Sequence, residues 1–184
     1  MGTIFVDNLE PQSGTTLTLG ASGDTLTIPS GCTISNSGTA SGFGKIGQIV
    51  TATTSTEVSN TSTSYADVGL SASITPTSTS SKVFVIVSAS LAGTTGSGAN
   101  NLLSLIQLVR GSTSIAEYLG TRIDNVTNMQ SGGACSYTDL DSPSTTSATT
   151  YKVQQKLNTS GDGRTSFFCF NNRLATITLM EVLA

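Results

Sequence analysis

Aliphatic and small hydroxyl residues alternate in short runs along this chain, and between Thr16 and Ser35 one such run is repeated three times. The copies are Thr16-Leu-Thr-Leu19, Thr25-Leu-Thr-Ile28 and Thr33-Ile-Ser35; Leu17 to Leu26 is nine positions, and Leu26 to Ile34 is eight. Period-2 alternation is the pattern of a half-buried strand. Each copy ends in a Gly-bearing turn: Gly20-Ala-Ser-Gly23, Pro29-Ser-Gly31 and Asn36-Ser-Gly38. A unit this short offers one or two large side chains, too few to bury its apolar stripe alone. Leu17, Leu19, Leu26, Ile28 and Ile34 must therefore meet copies of themselves, either stacked along the chain or supplied by neighbouring subunits. The segment reads as a β-repeat shaft in an oligomer, which favours a structural or adhesive protein over an enzyme.

The glycine-rich stretch Gly38 to Gly44 reads as a linker, and longer β runs follow it. They are Lys45–Val50, Tyr65–Leu70, Lys82–Leu91, Leu102–Arg110, Ser114–Leu119, Ala134–Thr138, Thr150–Gln155, Thr165–Phe170 and Ala175–Val182. Polar turn clusters separate them, among them Gly93–Gly98, Asp141-Ser-Pro143 and Ser160–Gly163. The run from Leu102 has helix-like length, but its Gly-rich entry and the hairpin signal Arg110-Gly-Ser-Thr113 favour a strand. Many strands, polar turns and no convincing helix predict an all-β chain with an antiparallel, jelly-roll-like sandwich. Three regions result: residues 1–13 as a leader with the β pattern Thr3-Ile-Phe-Val6, 14–44 as shaft and linker, 45–184 as the sandwich. Val83, Val85 and Val87 should face one way and Phe84 and Ile86 the other. Both sets are apolar, so one face belongs to the core and the other to a subunit interface. Met180 breaks the alternation of Ile177 and Leu179 with Thr176 and Thr178, giving the apolar second face that a threefold axis needs.

Composition narrows the functional classes. Roughly a third of the residues are Ser or Thr, charged residues are only 10%, and there is no Trp and no His. Hydrophobic residues at 36% rule out a disordered polar tract. A net charge of −3, with eight scattered Lys and Arg, argues against nucleic acid. No span of 18 apolar residues exists, so no transmembrane helix or membrane insertion is expected. The N-terminus lacks a signal-peptide pattern, which predicts synthesis in a cytoplasm and exit only within a larger assembly.

Candidate chemistry is sparse. Without His, the Ser-His-Asp and Cys-His arrangements are excluded. Cys32, Cys135 and Cys169 have no metal-ligand spacing and read as buried or half-buried free thiols. No metal or cofactor is expected. Asp139 and Asp141 point the same way on a strand, as a glycosidase pair or cation site would, and equally as a charged strand end before Pro143. Asn60, Asn125 and Asn158 head sequons that chance explains in so Ser/Thr-rich a chain. For saccharide binding the candidates are Tyr118, Tyr137 and Tyr151, with Arg122 and Asp124 in the variable-looking region 120–133.

The opening Thr3-Ile-Phe-Val-Asp-Asn-Leu9, the segment Gly14–Thr25 and Ile28-Pro-Ser-Gly31 resemble the start of short structural proteins of aquatic tailed bacteriophages. Leu70–Pro76, Ser80–Val83, Leu140–Lys152 and Ala175–Glu181 resemble the β-rich C-terminal domain of the same group. The resemblance implies a homotrimer with an N-terminal attachment region and a distal head, and carries over no catalytic residue. On that expectation, Ile4, Phe5, Val6 and Leu9 dock the leader on other virion proteins, and Tyr118, Arg122, Asp124 and Tyr137 are candidate contacts to a host surface glycan. The expected function is a short, non-enzymatic tail fibre located in the virion. The competing reading is a trimeric capsid decoration protein, and a glycan-cleaving enzyme would rest on Asp139 and Asp141 alone.

Overall fold

The computed structural model of the chain describes residues 9–32, 46–99 and 101–183. Two compact units result, Met1–Ser41 and Gly42–Ala184.

In the first unit the first two predicted turns form; the third, Asn36-Ser-Gly38, lies outside the described residues. The Asp24 N–H donates to the Ala21 carbonyl at 3.0 Å, and the Cys32 N–H to the Pro29 carbonyl at 3.2 Å. Gly23 and Gly31 take φ values of 94° and 86°, the third-position geometry of a type II turn that a Cβ disfavours. The two turns repeat at eight residues. No strand forms between Leu9 and Cys32 in the single chain, so the alternating runs find no ladder partner there. The third copy, with Ile34, lies outside the described residues, as do Ile4, Phe5 and Val6 of the leader.

The second unit has ten strands: β1 (Ile46–Thr54), β2 (Val58–Asn60), β3 (Ala66–Ile74), β4 (Lys82–Thr94), β5 (Asn101–Arg110), β6 (Thr113–Asp124), β7 (Gln130–Asp141), β8 (Thr149–Leu157), β9 (Thr165–Phe168) and β10 (Ala175–Val182). All pair antiparallel. One sheet runs β1-β10-β4, with β7 along the other edge of β4; the second runs β3-β8-β5-β6. The short β9 and β2 extend the first sheet beside the end of β4, where β10 has not yet begun. Without those two, the eight long strands have the order and two-sheet division of a jelly roll.

Alternation fixes which side chains enter the core. Val68, Leu70 and Ile74 from β3, Val83 and Val85 from β4, Tyr151 and Val153 from β8, and Ile177 and Leu179 from β10 are all at or below 1% exposure. Each such aliphatic burial contributes about 1.5–3 kcal/mol. Gly69, at φ 75°, allows the bulge that shifts the β3 register between Asp67 and Ser71. The Leu102 run is strand β5, and its hairpin turns on Gly111 at φ 58°. The variable-looking region 120–133, which lies between two of the predicted strands, supplies the end of β6 and the start of β7.

Candidate interaction surfaces

Two surfaces leave apolar groups in water in a single chain. In the N-terminal unit Leu17, Leu19, Leu26 and Ile28 are 41%, 58%, 68% and 43% exposed, and Leu9 is 51% exposed. Cys32, expected to be at least half-buried, is exposed, whereas Cys135 is half-buried and Cys169 buried. The buried thiols donate to main-chain carbonyls, Cys135 to Ala89 at 3.4 Å and Cys169 to Thr54 at 3.6 Å.

The second surface is the outer face of the sheet containing β1, β10, β4 and β7. Register sets Ile49 beside Met180, Met180 beside Phe84, and Phe84 beside Leu140. These four form one apolar row across four strands. Ile49 and Leu140 are 59% and 49% exposed, and Phe84 and Met180 are half-exposed. The next row is Thr51, Thr178, Ile86 and Thr138, and the third is Thr53, Thr176, Ser88 and Ser136. None of these twelve residues is charged. As expected, β4 is apolar on both faces, with Val83, Val85 and Val87 inside.

The residues proposed from sequence to touch a receptor separate in space. Tyr118 on β6 and Tyr137 on β7 stack with ring centroids 4.7 Å apart where the open edges of the two sheets meet. Their hydroxyls are committed: Tyr137 donates to the Leu119 carbonyl at 2.7 Å, and Tyr118 lies 3.2 Å from both the Thr138 carbonyl and the Asp139 carboxylate. Burial, then the charge of Asp139, pushes the Tyr118 phenol up to about 12. Arg122 and Asp124 pair with each other at 2.7 Å and line a polar hollow of about 210 Å³ with Asn101, Asn158 and Thr159. Its back wall is Arg164, whose guanidinium donates to the Asn101 carbonyl at 2.8 Å and to Asp162 at 3.0 Å.

Asp139 and Asp141 both face the sandwich interior, and both have partners. Asp141 accepts from Arg110 at 2.6 Å and from the Tyr151 hydroxyl at 2.7 Å. Among the described residues no group of three or more His, Cys, Asp or Glu is placed to hold a metal. Among them, too, no helix is long and apolar enough to cross a membrane.

No protein-family model matches this chain. No curated protein matches it either. Among solved structures it is similar to a chain of the T13 IBDV viral particle, with 13% identity over 76% of this chain and 36% of that one, TM-score 0.38. It is also similar to chains of infectious bursal disease virus, Gx strain (13% identity, 76% and 38% covered, TM-score 0.35) and Gt strain (15%, 74% and 37%, TM-score 0.32). The chain thus spans little more than a third of the length of each of these three structures.

Proposed function

We propose that this chain is a non-enzymatic structural subunit of a bacteriophage virion: a short trimeric tail fibre docked by its N-terminus, with the jelly roll as a distal head for host attachment. One observation carries the reading. The chain presents an uncharged sheet face crossed by Ile49, Met180, Phe84 and Leu140, a surface that costs free energy in water and is recovered by association. Depletion of charge with an apolar centre is the composition of an interface core. The regularly spaced, exposed leucines of the N-terminal repeats make the same demand from a second unit. Three copies sharing one axis would cover both surfaces, and three heads on one stalk would raise weak contacts to useful avidity.

The breadth of the uncharged face, which crosses four strands, favours a second reading, a trimeric decoration protein seated on the phage head through its leader. Gold-labelled antibody against this chain, imaged on intact phage particles, separates the two: label at the tail tip supports the fibre and label over the capsid the decoration protein. Particles carrying no label would overturn both.

A further inference from the structure

An edge strand exposes a row of unpaired main-chain groups, and folded proteins blunt such edges with bulges, charges or prolines. Four long strands of the sandwich lie at sheet edges: β1 and β7 in one sheet, β3 and β6 in the other. Three of them sit in irregular ladders. The register shifts between Ile46 and Ile49 of β1, between Asp67 and Ser71 of β3, and twice where β6 meets β5. β7 has no such break. It pairs with β4 residue for residue from Gln130 to Asp141, and it holds no proline and no charge before Asp139.

The ladder fixes where the free groups of β7 point. Antiparallel pairs alternate between exchanging hydrogen bonds and turning them away, and the Thr95 N–H donates to the Met129 carbonyl at 2.9 Å. Odd-numbered residues of β7 therefore bond to β4, and Gly132, Ala134, Ser136 and Thr138 turn N–H and C=O to the open side. Thr138 agrees, since its carbonyl accepts from the Tyr118 hydroxyl at 3.2 Å. That tyrosine closes the edge at one point only. Gly132, Ala134 and Ser136 are exposed, and among the described residues nothing bonds to their outward main-chain groups.

Beside this stretch the outer face of the sheet opens into a groove of about 490 Å³ lined by Ser90, Gly132, Ala134, Phe170 and Arg173. Phe170 and Arg173 stand on a turn in which Cys169, Asn171 and Asn172 take φ values of 55°, 57° and 54°. Reciprocal bonds from the β1–β2 loop pin it: the Asn171 N–H donates to the Glu57 carboxylate at 2.8 Å, and the Glu57 N–H to Asn172 Oδ1 at 3.2 Å. Arg173 is exposed and forms no ion pair among the described residues, whereas Arg110, Arg122 and Arg164 are matched to Asp141, Asp124 and Asp162. No acidic residue lines the groove.

We infer that β7 binds an extended, carboxylate-bearing segment of a host-surface protein, which adds to this sheet as a fifth long strand. A peptide strand repeats its donor and acceptor pairs every two residues, about 6.8 Å, the interval from Gly132 to Ala134 to Ser136. That match singles out a strand over a sugar ring. Side chains opposite Gly132 and Ala134 would stand on the outer face, where these small neighbours let them lean into the groove. An apolar one meets Phe170, and a carboxylate pairs with Arg173. A second copy of β7 fits less well: twofold pairing would put two unmatched guanidiniums on one continuous face, and it closes dimers rather than trimers. The inference deepens the host-attachment part of the reading above and rests on it.

The test is calorimetry on the full chain with the peptide acetyl-Thr-Val-Thr-Phe-Thr-Asp-Thr-Val-amide, in which Phe and Asp share one face. It should bind, and the version with Lys in place of Asp should bind more weakly by about tenfold. Methylating the Phe and Asp amide nitrogens, which would face β7, should abolish binding. Arg173→Gln should erase the preference for Asp over Lys. Ala134→Pro removes one outward N–H while sparing the ladder with β4, so binding should vanish and thermal melting persist. Failure of the Asp peptide to bind at millimolar concentration, or equal binding by its methylated version, overturns the strand site. A change of oligomeric state in Ala134→Pro would make a second copy the occupant and overturn the inference. Labelled full chain should attach to host cells and lose that attachment once they are stripped with proteinase K. Attachment that survives the protease, or none to untreated cells, overturns the host protein as occupant. Particle labelling is a separate readout, so a labelled virion whose protein ignores these peptides would lose the strand site and keep the virion role.

Discussion

Glu181 Oε1 accepts two hydrogen bonds from Thr77, from its N–H at 2.6 Å and its hydroxyl at 2.7 Å, while being wholly buried. Gln48 Nε2 donates to the other oxygen at 2.8 Å, so one carboxylate ties β10 to β1 and to the β3–β4 loop. No basic group forms an ion pair with it among the described residues; neutral donors hold the charge. Burial pushes this carboxyl up, and the hydrogen bonds from Gln48 and Thr77 together outweigh it, holding Glu181 at about 2 against an ordinary 4.5. The folded value lies below the unfolded one, so the contribution is complete above pH 4.5 and lost as pH falls toward 2. Its size is about 3 kcal/mol. Thermal melting of wild type and Glu181→Gln should differ clearly at pH 7 and converge near pH 2. A gap of constant size across that range would refute the latch.

All four tyrosines should resist alkali. Burial raises Tyr65, Tyr118, Tyr137 and Tyr151, and neighbouring Glu117, Asp139, Cys135 and Asp141 respectively raise them further. Folded values above the unfolded 10.0 mean that stability is full below pH 10 and falls as pH rises past it. Phenolate absorbance should appear well above pH 10 and together with loss of the far-ultraviolet β signal. Ordinary titration near 10 in the folded protein would show the hydroxyls free.

Asp141 is a structural acceptor shared by Arg110 and Tyr151. Removing it takes the acceptor from the Tyr151 hydroxyl and leaves the Arg110 guanidinium with the Ser142 carbonyl, 3.1 Å away, and no counter-charge. Asp141→Ala should lower stability by about 2–4 kcal/mol in urea unfolding, and wild type should degrade no polysaccharide. Polysaccharide cleavage that disappears in an Asp139→Asn, Asp141→Asn double variant would restore the enzymatic reading.

The repeats give a prediction confined to assembly. Leu17→Asp with Leu26→Asp places two charges on exposed leucines that are not among the buried residues of the jelly-roll core. The pair should abolish the trimer or its attachment to the particle while the sandwich keeps its own melting transition. Intact trimers with unchanged melting would remove the shaft from the account.

Sequence periodicity located nine of the ten strands because alternation and turn residues are local signals. It missed β2, where Val58-Ser-Asn60 carries a single large apolar residue and exists only through its ladder with Phe168, Phe167 and Ser166. It placed no strand in 120–133, where Ser131, Gly132 and Gly133 look like breakers. They pair instead with Leu91 to Gly93 of β4, where small residues let the two strands approach. The two-faced character of β4 was legible from Phe84 and Ile86. The row that Phe84 joins was not, since Ile49, Met180 and Leu140 become its neighbours only through register between strands distant in sequence. Glu181 was hidden for the same reason: its partner Thr77 is 104 residues away. Grouping Tyr118 and Tyr137 with Arg122 and Asp124 followed chain proximity, and plain alternation would keep Tyr118 and Arg122 on one face; the register shift in the β5–β6 pairing between Leu103 and Leu105 instead turns Tyr118 inward and Arg122 outward.

Sedimentation velocity of the full chain at micromolar concentration bears most directly on the claim that these apolar surfaces are covered by further copies. The account predicts a single species of three subunits for the wild type, and dissociation to folded monomers when Ile49→Asp and Leu140→Asp charge the two exposed ends of the row. A stable wild-type monomer, with no trimer forming as concentration rises, would contradict it.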